Sequence, residues 1–434
     1  MSAVRASLKI RQTFLPLEGN SSNLPSAKQR LRTSSRPWGR FLAAFSQSFA
    51  ESALRSICRK SDLLYDPFVG SGTTAVAAAR LGIRVIGNDL DPVSALISRA
   101  RVASHSDLRI VHQILDSRCR TVSPVFTPES AEFFSEEMLA YASGVYSKIE
   151  KRLPDSGGSP LKVLLADETG RYDSEAVALA SLIVAAASAA RAVRGSNPVW
   201  YRKAVNGERI TVPSLAEATH LQVVQIFQDL KQQEYPLRRR VRITCDDTLK
   251  HVLPDNSVDA VLTSPPYLNR LDYVINHLPQ LMLLSGMHPV NIEILRNRMT
   301  GTTKIVSKSS LDPLAGNTCR KLLEQIRGHH SHASKNYYYH IYVQYFNDMV
   351  KVFQNLKRQC KRGARGILVM QTSYYKEILV DSITVFQEMA ANIGFTIHPL
   401  AKEEVANHYG NLSPAQMRYV PGKRLHEFLL HLQF

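Results

Sequence analysis

Leu63-Leu-Tyr-Asp-Pro-Phe-Val-Gly-Ser-Gly-Thr-Thr74, continued by Ala75–Leu81 and then by Arg84-Val-Ile-Gly-Asn-Asp89, is the stretch that decides the fold. Leu63 to Asp66 is a short apolar run ending on an acid, the pattern of a buried strand. Gly70 and Gly72 permit the tight turn that must follow. Thr73 to Leu81 is Ala-rich and predicts a helix, Arg84 to Asp89 a second strand, and Pro92 the first turn of a further helix. Strand, helix, strand and helix with short connections predict an α/β fold with a doubly wound, mostly parallel sheet.

The rhythm outward from this unit defines the expected organisation. Residues 1–36 carry Ser, Asn and Pro clusters with Lys28, Arg30, Arg32 and Arg36 against the single acid Glu18, which reads as a flexible basic arm. A helix is expected from about Arg40 to Arg59. Beyond residue 104 the sheet pattern stops, and 105–240 reads as a helical insertion with loops at 153–160 and 195–213. Strands return at Val241–Thr244 and Val258–Thr263, and a second insertion covers 276–336. Tyr337–Gln359 then predicts a helix, Arg365–Thr372 a strand and Val380–Ile393 a helix. Phe395–Pro399 and His426–Phe434 predict a closing hairpin. The catalytic unit is thus expected to be split between 37–104 and 241–434.

The 434 residues are 44% hydrophobic and 21% charged, enough for a packed core with inserted material. Against 37 acidic residues stand 54 Lys and Arg, a formal net charge of +17, which favours a polyanionic partner. The five cysteines are scattered without C-x-x-C spacing, which argues against a disulfide framework and a thiolate zinc site. No apolar h-region follows Arg5, Lys9 and Arg11, and the Ala-rich run Ala176–Ala190 is too short to cross a bilayer. A cytoplasmic protein without membrane contact is expected.

Two stretches carry chemistry. The glycine loop ahead of the Thr73 helix offers unpaired backbone N–H groups to an anionic part of a cofactor, and Asp89 can accept from ribose hydroxyls. This reading does not separate S-adenosylmethionine from a dinucleotide, although Ala75 stands where a third dinucleotide-type glycine would. A turn joining strand to helix explains the glycines without any cofactor. The second stretch is Ser264-Pro-Pro-Tyr267 after an apolar strand. Two prolines remove two backbone donors and leave a rigid turn of acceptors. Ser264 Oγ and the Pro265 carbonyl can each take one N–H of an amino group, while Tyr267 offers a ring to stack on a base. Read alone, Ser-Pro-Pro-Tyr is equally a rigid loop with an exposed tyrosine.

Together and in this order the two stretches resemble the amino-methylating DNA methyltransferases. Asp66-Pro-Phe-Val-Gly-Ser-Gly-Thr-Thr74 is similar to that family's cofactor motif, and Gly87-Asn-Asp-Leu-Asp-Pro92 to its ribose-binding segment. Cys245-Asp246 with Leu253-Pro-Asp-Asn-Ser-Val-Asp259 resembles the approach to the catalytic loop, and Thr263–Tyr273 the loop and its continuation. Tyr345–Met349 and Arg424–Leu430 are weaker likenesses, and Arg36-Pro-Trp-Gly-Arg-Phe41 loosely resembles the methionine-binding motif. The resemblance implies a class I methyltransferase sheet and S-adenosyl-L-methionine as cofactor. It implies cofactor contacts from Asp66, Phe68, Gly70, Ser71, Gly72, Thr73, Asp89 and Asp246, the last on the adenine. It further implies a catalytic turn of Ser264, Pro265, Pro266 and Tyr267 acting on a base flipped from double-stranded DNA. Ser before Pro-Pro-Tyr favours N4 of cytosine over N6 of adenine. Recognition is then expected in the insertions, mainly 105–240, and a cognate restriction endonuclease is a candidate partner. An RNA base methyltransferase and a non-catalytic DNA-binding protein on the same fold are the rival readings.

Other clusters read more simply. His329, His330 and His332 with Tyr337-Tyr-Tyr-His340 lack a carboxylate or cysteine at ligand spacing, so a polar loop is expected rather than a metal site. The runs Arg238–Arg240 with Arg242, and Arg296, Arg298, Lys304 and Lys308, are candidates for phosphate contact or simply solvated faces. Trp200-Tyr-Arg-Lys203 suits a nucleic-acid groove or helix-end packing.

Overall fold

The computed structural model describes residues 12–13, 24–27, 37–39, 45–103, 106–116, 126–155, 157–194, 200–204, 211–232, 240–250, 253–268, 271–405 and 424–434. Most of the basic arm lies outside them, as do Arg238 and Arg239. Its described pieces lie against the sheet edge: Gln12–Thr13 (β1) pairs there, and Leu24 and Ala27 are buried.

The strands that follow are β2 (Leu63–Asp66), β3 (Arg84–Asn88), β4 (Ala192–Arg194), β5 (Tyr201–Lys203), β6 (Val241–Thr244) and β7 (Val258–Thr263). The chain closes with β8 (Cys360–Gln371), β9 (Ser373–Tyr375), β10 (Ile378–Val380), β11 (Thr396–Val405) and β12 (Leu425–Gln433). Eight of these form one sheet in the order β1-β11-β12-β8-β7-β2-β3-β6. β6, β3, β2, β7 and β8 are mutually parallel, whereas β12 runs antiparallel to β8 and to β11. This is the doubly wound, mostly parallel sheet of the class I methyltransferase type, with the expected C-terminal hairpin slotted in at one end.

Alternation along the strands explains the two layers. Leu64 and Val85 face one hydrophobic cluster, while Tyr65 and Val261 face the other. Over the first face lie α1 (Gln47–Ile57), α2 (Thr73–Arg80) and α3 (Pro92–Arg101). The same cluster runs on into α4 (Leu108–Leu115), α5 (Pro128–Phe133), α6 (Glu136–Glu150), α7 (Pro160–Ala166), α8 (Asp173–Ala189) and α9 (Leu215–Lys231). The Ala-rich α8 is buried on every side, packed on α3, α4 and α9. The helical segment therefore extends the core of the sheet. Buried Arg99 of α3 ties it down, bonding Asp167 at 3.1 Å, Asp173 at 3.0 Å and the Leu164 carbonyl at 2.8 Å. Later in the chain come α10 (Tyr273–Asn276), α11 (Leu278–Leu284), α12 (Ile292–Arg298), α13 (Gly316–Gly328), α14 (Tyr339–Gln359) and α15 (Ser382–Ile393). The last three cover the second face.

The order of strands places the site. From β2 the chain steps outward through β3 to β6, then returns to β7 on the other side of β2. The carboxyl ends of β2 and β7 flank this switch point, where open α/β sheets hold ligands. Leu64 pairs with Ala260 and Tyr65 with Val261, so two loops nearly 200 residues apart in sequence leave the sheet side by side.

Candidate active site

A cleft of about 1010 Å³, solvent at its mouth included, opens at this switch point. Asp66, Phe68, Gly70, Ser71, Thr73 and Asp89 line one wall, and Ser264, Pro265 and Pro266 the other. Asp66 and the second loop are bonded directly: Thr263 Oγ1 donates to Asp66 Oδ1 at 2.7 Å.

The glycine loop has its shape because both glycines adopt positive φ, +52° at Gly70 and +82° at Gly72. A Cβ on Gly72 would come within 2.9 Å of Ser98 Cα, so α3 is packed directly against the turn. Ser98 Oγ donates to the Gly70 carbonyl at 2.7 Å, and Arg101 Nη1 to that of Ser71 at 2.7 Å. The two carbonyls of the turn are thereby occupied, and the N-terminus of α2 is left toward the cleft. Asp89 accepts from Gly70 N and Asp91 N, each at 2.9 Å. Burial, and next the Asp91 carboxylate, push the Asp89 carboxyl up to about 7. Burial likewise raises Asp66 to about 6, against hydrogen bonds that oppose the shift.

Asp246 departs from expectation. It is exposed and does not line the cleft, whereas its neighbour Asp247 is buried and does. The cause is Asn88, buried at the end of β3. Its amide accepts from Asp246 N at 3.0 Å and donates to the Asp246 carbonyl at 2.9 Å. With its backbone stapled inward, Asp246 turns its side chain out and the next residue faces the cleft. Asp247 accepts from Leu249 N at 3.0 Å and from Arg298 Nε at 3.3 Å.

The Ser-Pro-Pro-Tyr turn lines the cleft through Ser264, Pro265 and Pro266, but Tyr267 does not offer its ring to it. The ring is buried in the cluster under α14, and its hydroxyl lies 2.9 Å from Ser264 Oγ. Burial holds that phenol well above its ordinary pKa. Tyr345 OH donates to the Pro266 carbonyl at 3.0 Å, and Gly301 packs on the Pro266 ring. The Pro265 carbonyl accepts no hydrogen bond among the described residues, so it remains available beside Ser264 Oγ. The aromatic ring on the wall is Tyr273, half-buried at the start of α10.

Several lining residues carry no sequence signal. Phe45 closes one end, while Trp38 of the loosely matching motif is instead bonded to Asp229 of α9 at 2.6 Å. Arg36, Arg40 and Phe41 lie outside the described residues. His277 lines the cleft and holds the Asp91 carboxylate at 2.5 Å, both groups buried. Asn276 Oδ1 is buried on the wall, with no hydrogen-bond partner among the described residues.

The basic and histidine-rich candidates are mostly engaged elsewhere. Arg296 pairs with Asp272 at 2.7 Å, Arg298 with Asp247, and Lys304 with Glu293. Arg242 lies 3.6 Å from Glu168. In the β4–β5 hairpin Lys203 pairs with Glu132 at 2.9 Å, and Arg194 stacks on Tyr201. A carboxylate does reach the histidines: Glu377, in the turn between β9 and β10, groups with His329 and His330. His329 Nδ1 accepts from Ser331 N at 3.1 Å, so Nε2 carries the proton and donates to Glu377 at 2.8 Å. In that tautomer His329 has no lone pair left for a cation. Among the described residues no helix is long and apolar enough to cross a membrane.

A family model described as DNA methylase, for the N6/N4 methyltransferases, matches residues 12–98. Type II methyltransferase M.BsoBI of Geobacillus stearothermophilus is 23% identical over 472 aligned residues, covering 95% of this chain and 89% of that protein. Both comparisons thus place the chain's similarity with the N6/N4 amino-methylating DNA methyltransferases. Type II methyltransferase M2.DpnII of Streptococcus pneumoniae is 40% identical over 57 residues, 13% of this chain and 21% of that one. Among solved structures, Haemonchus contortus phosphoethanolamine N-methyltransferase 2, in complex with S-adenosyl-L-methionine, aligns with TM-score 0.30 and 9% identity, over 88% of this chain and 51% of that one. Among the described residues, the glycine loop and the Ser264-Pro-Pro turn meet on a shared cleft.

Proposed function

We propose that this chain transfers a methyl group to an exocyclic amino nitrogen of a base in double-stranded DNA, with N4 of cytosine as the acceptor. The observation that carries the reading is the shared cleft: Ser264 Oγ and the free Pro265 carbonyl stand across from Asp66 and Asp89, joined at their base by the Thr263–Asp66 bond. The choice of cytosine rests on the serine before Pro-Pro-Tyr.

The wall fits S-adenosyl-L-methionine chemically. Asp66, Asp89, Asp91 and Asp247 give it acidic character suited to a cationic cofactor, Phe68 and Met299 supply apolar surface, and orphaned Asn276 Oδ1 is an acceptor for an amino group. When bound, the cofactor supplies a methyl group made electrophilic by its sulfonium. Asp89 holds the ribose hydroxyls, Asp247 takes the adenine contact expected of Asp246, and the N-terminus of α2 faces the amino-acid carboxylate. The target base enters beside Tyr273 after leaving the duplex. Ser264 Oγ and the Pro265 carbonyl accept its two N–H groups and turn the nitrogen lone pair toward the methyl. Tyr267 steadies Ser264 from behind. The acceleration comes from positioning, and the prolines make that geometry cheap to hold.

Ser264→Ala tests this assignment. It should lower kcat by about 100-fold, the scale of one positioned hydrogen bond at a reacting group, with cofactor affinity unchanged by calorimetry. Full activity in that variant overturns the role of the turn. Expression in a methylation-deficient host, followed by sequencing that distinguishes modified bases, decides the acceptor. Modified adenine in place of cytosine would move the reading to N6. A type II system with a cognate endonuclease is part of the same proposal.

A further inference from the structure

We propose that an exposed basic surface around the N-terminus of α14, formed by Lys308, Arg327 and Lys335 with tyrosines 337–339 at its centre, seats the phosphate backbone of the duplex that carries the target base. The inference rests on the DNA-methylating reading and moves the main contact surface from the helical insertion to the second insertion.

Four observations converge on this surface. Lys308, Arg327 and Lys335 are exposed and take part in no ion pair among the described residues. By contrast Arg296, Arg298, Lys304 and Lys203 are all held by carboxylates. Second, Arg327 lies 5.4 Å over the ring of Tyr339, which fixes a guanidinium beside an aromatic face. His330 and His332, between Arg327 and Lys335 in sequence, are exposed as well. Third, Ser334–Tyr338 is a turn of π-helix leading into α14, and such widened turns recur at functional sites. It crowds consecutive tyrosines into one place, with ring centroids 5.0 Å apart at Tyr337 and Tyr338.

Fourth, the surface is joined to the catalytic wall. Tyr337 OH bonds the Thr303 carbonyl, two residues from the Gly301 that packs on Pro266. From there the loop runs along α14, with Gln344 accepting from Val306 N at 3.0 Å and Asn347 Nδ2 donating to the Ser310 carbonyl at 2.9 Å. Lys308 is carried on that loop. The local field is positive: besides burial, Lys308 and Arg327 lower the pKa of His340, the residue after Tyr339. Phosphates bound here would lie beside the mouth through which the base enters.

The test uses the full chain and a mixed-sequence duplex of roughly 30 bp, whose affinity is measured by fluorescence anisotropy across a salt series. Each lost phosphate contact lowers the slope of log K against log salt by about 0.9, so Lys308→Gln/Arg327→Gln/Lys335→Gln should lower it by roughly 2 to 3. The duplex dissociation constant should rise at least tenfold, while cofactor binding by calorimetry and the melting temperature stay as in the native chain. Lys308→Gln alone, on an exposed loop, should lower the slope by about 1 and serves if the triple variant fails to fold. An unchanged slope and affinity in these variants would overturn the proposal. So would loss of the slope in a comparison variant, Arg202→Gln/Lys203→Gln in the β4–β5 hairpin. If the native chain methylates DNA and the variants bind normally, only this surface falls. If the native chain neither binds nor methylates DNA, the activity falls with it.

Discussion

The Asp89 carboxylate accepts from two backbone N–H groups and still faces the cleft, with Asp66 and Asp91 as its nearest negative neighbours. Burial and these charges raise its pKa to about 7, inside the range in which enzymes are assayed. The sign of the consequence follows. Below that pH the group is neutral and a poorer acceptor for ribose hydroxyls; above it the charge is present and also favours a cationic cofactor. Cofactor affinity should therefore tighten about tenfold from pH 6 to pH 8, the ratio of ionised fractions for a group titrating at 7. Calorimetric titrations at several pH values read this directly. Asp89→Asn should bind weakly and without that dependence, apart from a smaller contribution below pH 6.5 from Asp66, which titrates near 6. A flat profile in the native chain would remove Asp89 from the cofactor contacts.

At the scale of elements, the two glycines of one turn make unequal demands. Both have positive φ, which costs an L-residue about 1–2 kcal/mol. Gly70 has room: a Cβ there meets only the Phe68 carbonyl, at 3.9 Å. At Gly72 the same atom would press on the backbone of α3 at Ser98. Gly72→Ala should thus lower the melting temperature and cofactor affinity markedly more than Gly70→Ala, and equal effects would refute the packing argument. The turn and its flanking strands were legible because their signals are local: a short apolar run, two glycines and an Ala-rich helix. The same holds for the strands from Val241 and Val258 and for the closing hairpin. What escaped the sequence depends on contacts between distant residues. Asn88 turns Asp247 rather than Asp246 into the cleft, and neither the identity nor the spacing of the two aspartates reveals which faces inward. Tyr267 is drawn under α14, and the tyrosine that lines the cleft is the half-buried Tyr273. The β4–β5 and β9–β10 hairpins are too short to show alternation, and the second brings Glu377 to His329 from 48 residues away.

Across the whole molecule, the helical segment between β3 and β6 and the sheet share a continuous core, and Arg99 is the polar joint between them. Its guanidinium is almost fully buried, with both carboxylate partners likewise out of solvent. Removing the cation from such a cluster leaves uncompensated charge in a low-dielectric interior, at a cost of about 3–5 kcal/mol. Arg99→Ala should accordingly produce a large fall in melting temperature. Asp173→Asn added to Arg99→Met should recover part of it, because one stranded carboxylate is then neutral and the methionine refills the space. The shared core further requires that sheet and helices unfold together. Calorimetry should show one transition in the native chain, and in Arg99→Ala one transition at lower temperature. Two separated transitions would mean that the helical segment is an independent unit attached to the methyltransferase sheet, and Arg99 a local contact rather than the joint that couples them.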